Sequence, residues 1–393
     1  MRSSLSWFVM LNCPLCDSES DHCYTPIESA IGLKVFVCHS CGFVHTTRSQ
    51  EQTLYRPIES GNATLSCDAD YSVGRVGKQQ MTAENISFFH SELIDLRPKS
   101  VLDMAAARGH FIRYVAQELK TERIVAIESD LGLLQGNLIP DQTEIIGIDF
   151  RLITLEEKFD LIYSCHTLEH YANPIPHLRF LKLHMHKQSL AIIDVPNLDS
   201  IQSTQPIDEY FYDKHRVYFD KDSLIIALLR LGFKLIADGS TSASVKLLVG
   251  LDDFKIKLHS HKAIDRFSKN KNLIENYALR LKSNRLALPT AVSKMCEKLK
   301  PDQPTVIVGA GRILDAAIKY GHLEMRHFDY VTDNFLSETG IAINGVKIRR
   351  LDSLPKLENP YVALFTRTAT KALTNEIMKW NKNAEIHTLS GLL

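Results

Sequence analysis

Three things are missing from this sequence: a long apolar run, an excess of either charge, and glycine at the turn where it is most expected. No segment of the 393 residues supplies the roughly 20 consecutive apolar positions that cross a bilayer, so no membrane association is expected. The opening MRSSLSWFVML has one arginine and a short apolar stretch, but no small-residue cleavage site before Cys13. It makes a poor secretory leader, and residues 1–9 read as an extension or a misplaced start ahead of Met10. Acidic and basic side chains number 46 each, which removes any long-range pull toward a polyanion and argues against a nucleic-acid partner. A cytoplasmic protein is expected.

The length exceeds what one hydrophobic core normally serves, so two or three domains are expected, and 45% hydrophobic with 23% charged residues is the profile of a globular chain. Four of the eight cysteines form two pairs, Cys13/Cys16 in CPLC and Cys38/Cys41 in CHSC, with 21 residues between the pairs. In a reducing compartment such spacing points to metal rather than disulfides, the alternative being two unrelated turns or a redox pair. Four thiolates fill the tetrahedral shell of Zn2+ and leave no place for water, so the ion would be structural. His22, Cys23, His39 and His45 are substitutes without the paired spacing. KVFVCHSCGFVHT alternates as the strands of a small ribbon do.

From about residue 80, helical and strand patterns alternate. TAENISFFHSELIDL has helical spacing and is closed by Arg97-Pro98. SVLDMA, RIVAIES, EIIGIDF, FDLIYSC and SLAIIDVPN read as strands, with GHFIRYVAQEL and PIPHLRFLKLHMH as helices. This predicts a parallel sheet covered on both faces, with ligands at the carboxyl ends of its strands. The missing glycines belong to the first such end, VLDMAAARGHF, where Ala105, Ala106 and Ala107 leave only Gly109. Glu128 ends the next strand 25 residues after Asp103, where a carboxylate can accept both hydroxyls of a ribose. Asp149-Phe150 ends a third, where a carboxylate beside an aromatic ring could take an adenine amino group.

VLDMAAARGHF, VAIES, GIDF and FDLIYSCHTLEHYANPIPHL resemble the class I S-adenosylmethionine-dependent methyltransferases, and IIDVPN and VYFDKDSLIIALLRLGFKLI continue the match over roughly residues 80–250. The resemblance implies that Asp103, Ala105, Gly109, Glu128, Asp149 and Phe150 line the S-adenosylmethionine site, with Cys165 and His166 near its reactive end. The family has a glycine where this chain has Ala105. At positive φ an alanine costs about 1–2 kcal/mol, whereas at negative φ it fits with a small shift.

In DEYFYDKHRVYF, Tyr212 and His215 are three apart, close enough for an imidazole to hold a phenol's proton. The alternative is an aromatic cluster of Phe211, Tyr212, Tyr218 and Phe219 with His215 as a surface cap. The order of zinc ribbon, methyltransferase domain and further domain resembles the sugar C-methyltransferases of deoxysugar biosynthesis. Their tyrosine, histidine and Tyr-Phe pair match Tyr212, His215, Tyr218 and Phe219, although Lys214 replaces an acidic residue. The resemblance implies a nucleotide-linked keto sugar as substrate, Tyr212 assisted by His215 as base, and His166 and His170 as further candidates, His170 more naturally bonded to backbone.

The last third holds a basic helical stretch, HKAIDRFSKNKNLIENYALRLKSNRLAL and AVSKMCEKL, and then a second alternation. PTVIVGAG places Gly309 and Gly311 at a strand end, and Asp333 ends the next strand. This unit resembles the C-terminal domain of the same enzymes, where it would grip the nucleotide or close one side of the cleft; a purely structural appendage is the alternative. The expected fold is α/β: a zinc ribbon over 10–70, a Rossmann-like methyltransferase domain over 71–251, a helical linker over 252–303 and a Rossmann-like domain over 304–393. O- or N-methylation of another small molecule, methylation of ribosomal RNA and non-catalytic binding are the rival functions. The oligomeric state is left open by the sequence.

Overall fold

The computed structural model describes residues 12–29, 32–47, 81–129, 131, 134, 139–202, 206–212, 214–252, 263–334, 336–339, 342–366 and 370–389. Met10, Cys67 and residues 71–80 of the expected central domain lie outside the described residues. The described residues fall into two compact units. The first holds those before position 58 together with 81–202 and 211–277, and the second holds 206–210 and 278–389.

In the first unit the strands are β1 Ser20–Tyr24, β2 Lys34–Cys38, β3 Val44–Thr47, β4 Ser100–Met104, β5 Arg123–Ile127, β6 Thr143–Ile146, β7 Phe159–Cys165, β8 Met185–Pro196, β9 Val217–Tyr218, β10 Phe233–Asp238 and β11 Ser244–Leu251. Its helices include α1 His90–Leu96, α2 His110–Gln117, α3 Ile175–Leu183 and α4 Lys221–Arg230. Seven strands form one sheet in the order β10-β11-β8-β7-β4-β5-β6. The five strands expected from the sequence pair in parallel, and the sheet gains an antiparallel edge, because β11 runs antiparallel to both β8 and β10. Only residues 239–243 join β10 to β11, too short a link for the crossover that parallel strands need.

Strand alternation decides what each face carries. Leu102, Met104, Val125, Ile127, Ile162 and Ile193 share a core with Leu178 and Leu181 of α3 and Leu224 and Leu228 of α4. Val101, Ile124, Ala126, Leu161 and Ile192 pack instead with Leu93 of α1 and Phe111, Ile112 and Val115 of α2. Helices therefore cover both faces. Polar ends start and stop them: Asp220 and Ser223 close a reciprocal capping box on α4, and Arg97, left-handed at φ 46°, ends α1 before Pro98. After β4 the chain builds outward through β5 and β6, then returns to place β7 and β8 on the other side. That reversal opens a crevice at the carboxyl ends of β4 and β7.

A small sheet, β1-β2-β3-β9, carries the cysteine pairs, and its last strand comes from the Tyr212 segment. In the second unit, β12 Thr305–Val308, β13 Tyr330–Thr332, β14 Ala342–Ile343, β15 Val346–Arg349, β16 Tyr361–Leu364 and β17 Glu385–Thr388 order as β14-β15-β13-β12-β16-β17, parallel except for the β14–β15 pair. Helices α6 Arg312–Gly321 and α7 Thr370–Trp380 follow β12 and β16. The two helices expected over the basic stretch are one: α5, Ala263–Cys296, runs through Pro289. A mid-helix proline costs about 3 kcal/mol, but Leu288, Ala291, Val292 and Met295 around it are buried in the second unit's core and offset that cost. Among the described residues no helix is long and apolar enough to cross a membrane.

Candidate active site

The loop after β4 and the start of α2 line a cleft with Asp103, Ala105, Ala106, Ala107, Arg108, His110, Phe111, Thr82, Tyr163 and Cys165. Ala105 and Ala106 both donate their N–H to the carbonyl of Ile127, at 2.8 and 3.3 Å, which staples the turn to the end of β5. The stapled turn holds Ala105 at φ 62° and Ala107 at φ 49°, with Gly109 at φ 85° capping α2. The negative-φ option for Ala105 is thereby removed. Two alanines occupy left-handed backbone, a strain of about 1–2 kcal/mol each.

Asp103 and Glu128 are both buried, at 2% and 4% exposure. Glu128 reaches the loop, its Oε2 accepting the Ala107 N–H at 2.8 Å, so the first two strand ends converge. The third behaves differently. Asp149 caps the short turn Phe150–Leu152 and grips the Arg151 guanidinium with both oxygens, at 2.9 and 2.6 Å. Burial would raise its pKa, but Arg151 outweighs that and holds it below the usual value. The Phe150 ring is buried edge-on among Tyr171, His177 and Phe180. Neither residue lines the cleft described above.

Cys165 joins a buried polar network. Asn85 donates to Tyr163 Oη at 3.1 Å and to Asp194 Oδ2 at 2.8 Å, Cys165 Sγ lies 3.6 Å from the same oxygen, and Ser244 donates to Asp194 Oδ1. The helical pattern alone did not single out Asn85, yet it sits with Thr82, Phe89 and Leu93 on the inward stripe, where a polar residue asks for buried partners.

On the other side of Asp194 stands a second group. His166, left-handed at φ 50°, places Nε2 3.9 Å from Asp194 Oδ1 and Nδ1 3.4 Å from Glu169 Oε1. His170 Nε2 and His215 Nε2 each lie 3.9 Å from that same Glu169 oxygen. Tyr212 Oη and His215 Nε2 are hydrogen-bonded at 2.7 Å. His170 Nδ1 donates to the Lys214 carbonyl at 3.2 Å, the backbone bond expected of it. Glu169 is buried; desolvation raises its pKa, yet the His166 imidazole 3.4 Å away and the neighbouring His170 and His215 hold the carboxylate well below its usual range. The sequence offered Glu169 only within FDLIYSCHTLEHYANPIPHL, with no role. Thus Tyr212, His215, Glu169, His166 and Cys165 form a continuous series ending on the cleft.

The four paired cysteines meet as expected. Cys13–Cys41 Sγ atoms are 3.6 Å apart, and Cys16 lies 3.4 Å from both Cys38 and Cys41. Bonds of about 2.3 Å set tetrahedral sulfurs ~3.8 Å apart, so the set fits one tetrahedral ion and is too open for a disulfide. β3 of this knot pairs with β9, and Thr46 hydrogen-bonds the carbonyls of His215 and Arg216, each at 3.2 Å. The cysteine knot therefore fixes the backbone that carries His215. In the second unit, Gly309 at φ 93° could take no Cβ, which would meet the Phe365 carbonyl at 2.2 Å. Asp333 accepts the N–H groups of Ala310 and Leu336, both at 3.1 Å, and so braces that glycine turn.

Of the two buried carboxylates at successive strand ends, Asp103 lines the switch-point cleft and Glu128 braces its loop through Ala107. Residues 78–238 match the family model of a methyltransferase domain. Fold and match define the class of this region: residues 78–238 carry an S-adenosylmethionine-dependent methyltransferase domain. Among solved structures it is similar to the plantazolicin methyltransferase BpumL in complex with SAH, at 16% identity over 47% of this chain and 88% of that one, TM-score 0.39. It is also similar to an S-adenosylmethionine-dependent methyltransferase from Clostridium acetobutylicum ATCC 824, at 11% over 43% and 92%, TM-score 0.37. The glycopeptide N-methyltransferase MtfA complexed with sinefungin matches at 16% over 43% and 93%, TM-score 0.35. Among curated proteins none matches.

Proposed function

We propose that this enzyme methylates a carbon of a nucleotide-linked keto-deoxysugar, with Tyr212 as the base and His215 as its partner. The observation that carries the reading is the 2.7 Å contact between Tyr212 Oη and His215 Nε2, backed by a buried Glu169 carboxylate. A carbonyl acidifies the proton on the adjacent carbon. Tyr212, its own proton held by His215, removes that proton and leaves an enolate. That carbon would take the methyl group of S-adenosylmethionine as the S–CH3 bond broke, the bonding pair leaving with a neutral thioether. The abstracted proton returns to solvent through the Tyr212–His215 pair.

S-adenosylmethionine supplies the electrophilic methyl when bound. Asp103, Glu128 and the slim 105–107 loop would hold it, with Gly109, Asp149 and Phe150 flanking and Cys165 and His166 toward the reacting end. Zn2+ would sit in the Cys13, Cys16, Cys38 and Cys41 set as a structural ion. The test is deuterium exchange: in D2O, wild-type protein should wash deuterium into the carbon beside the carbonyl of a nucleotide keto sugar, and Tyr212→Phe should not. Methyl transfer to oxygen or nitrogen, without exchange, would replace the carbon reading.

A further inference from the structure

Glu169 is buried among three histidines. Both carboxylate oxygens are buried with no hydrogen-bond partner, and the side chain is 2% exposed. His170 Nδ1 faces a carbonyl, which only accepts, so in the neutral ring Nδ1 carries the proton and the Nε2 turned toward Glu169 Oε1 is free to ligate. His170 Nε2 and His215 Nε2 stand at the same distance, 3.9 Å, from that oxygen. One ligand atom from each of Glu169, His170 and His215 lies within 4.8 Å of the other two.

We propose that Glu169, His170 and His215 bind a divalent first-row transition ion, a second metal site separate from the cysteine knot. Two imidazoles and one carboxylate are a donor set that suits such ions and leaves coordination positions open. Bonds of about 2.1 Å put tetrahedral ligand atoms ~3.4 Å apart, so the two 3.9 Å separations from Glu169 close by about half an ångström. The supporting contacts are already in place: the Lys214 carbonyl fixes the His170 tautomer, and His166 Nδ1 steadies the Glu169 carboxylate at 3.4 Å. The His170 side chain is 40% exposed, which leaves an approach for water or for an oxygen of the acceptor. An ion on His215 Nε2 displaces the hydrogen bond from Tyr212 Oη, so the ion-loaded site and the Tyr212–His215 base are alternative states of one nitrogen. Ion binding itself does not depend on the methyl-transfer reading and is measured without the sulfonium cofactor or any sugar.

The full chain, its cysteine knot loaded with zinc, is titrated with Co2+ while visible absorption and total metal are followed. One further equivalent is expected, with d–d absorption of an imidazole–carboxylate site and no thiolate charge-transfer band. Glu169→Gln should lose that equivalent and keep the cysteine-bound zinc. His170→Asn, at a half-exposed position that perturbs folding less, should lose it as well. Absence of a second equivalent in the wild type, a signal only from thiolates, or cobalt retained by both variants would overturn the site.

Discussion

Glycine substitution in the 105–107 loop gives a prediction whose sign depends on backbone geometry alone. Ala105 and Ala107 sit at φ 62° and 49°, and Ala106 is absent from the left-handed residues. Relieving left-handed alanine gains about 1–2 kcal/mol, and the added freedom of glycine in the unfolded chain takes back about 0.4–1 kcal/mol. Ala105→Gly should therefore stabilise the first unit by about 0.8 kcal/mol, roughly fourfold in its folding equilibrium, and Ala107→Gly similarly. Ala106→Gly is the control. Its methyl is 8% exposed, and with no strain to relieve its loss should destabilise by about 1 kcal/mol. Urea unfolding followed by tryptophan-independent circular dichroism, compared at equal slope, reads all three. If Ala105→Gly and Ala106→Gly shift the midpoint in the same direction, the left-handed turn is refuted.

Tyr212→Phe should lower turnover about 10²- to 10⁴-fold, the usual worth of a general base, while S-adenosylmethionine affinity measured by calorimetry stays the same; near-native turnover removes Tyr212 from the mechanism. Cys38→Ser should release zinc, seen by metal analysis. Because β3 pairs with β9 and Thr46 holds the His215 carbonyl, it should also cut turnover by roughly tenfold or more; unchanged turnover would uncouple the knot from the site. His177 is fully buried, its Nε2 against Ser164 Oγ at 3.0 Å, and burial lowers its pKa to about 3 despite the opposing charges of Asp149 and Glu169. Below pH 6.5 the unfolded chain takes a proton that the folded one refuses. Stability should therefore fall as pH drops from 6.5 toward 3, by about 1.4 kcal/mol per unit, and His177→Gln should flatten that slope. An equal slope in both proteins would contradict the assignment.

Much of this was legible in residues. The cysteine spacing announced a four-sulfur cluster because two tight turns leave thiols little choice of partner. Alternation of strand and helix patterns gave the central sheet, and Tyr212 three before His215 gave a pair that meets. The misses have local causes. An apolar run such as SVKLLVGL does not say which way a strand points, so the direction of β11 had to come from its short connection. The φ of Ala105 is set by two bonds to Ile127 that no pattern in the loop reveals. Arg151 captures Asp149 only because a short helical turn brings them together, and that same turn buries the Phe150 ring. Glu169 acquires its meaning from three histidines, one of them 46 positions away in sequence.

Calorimetric titration of the wild type and Glu128→Ala with S-adenosylmethionine is the most direct measurement of all. One equivalent bound by the wild type, and at least tenfold weaker binding by the variant, is the result this account predicts. No binding by the wild type, or equal binding by the two, would contradict it.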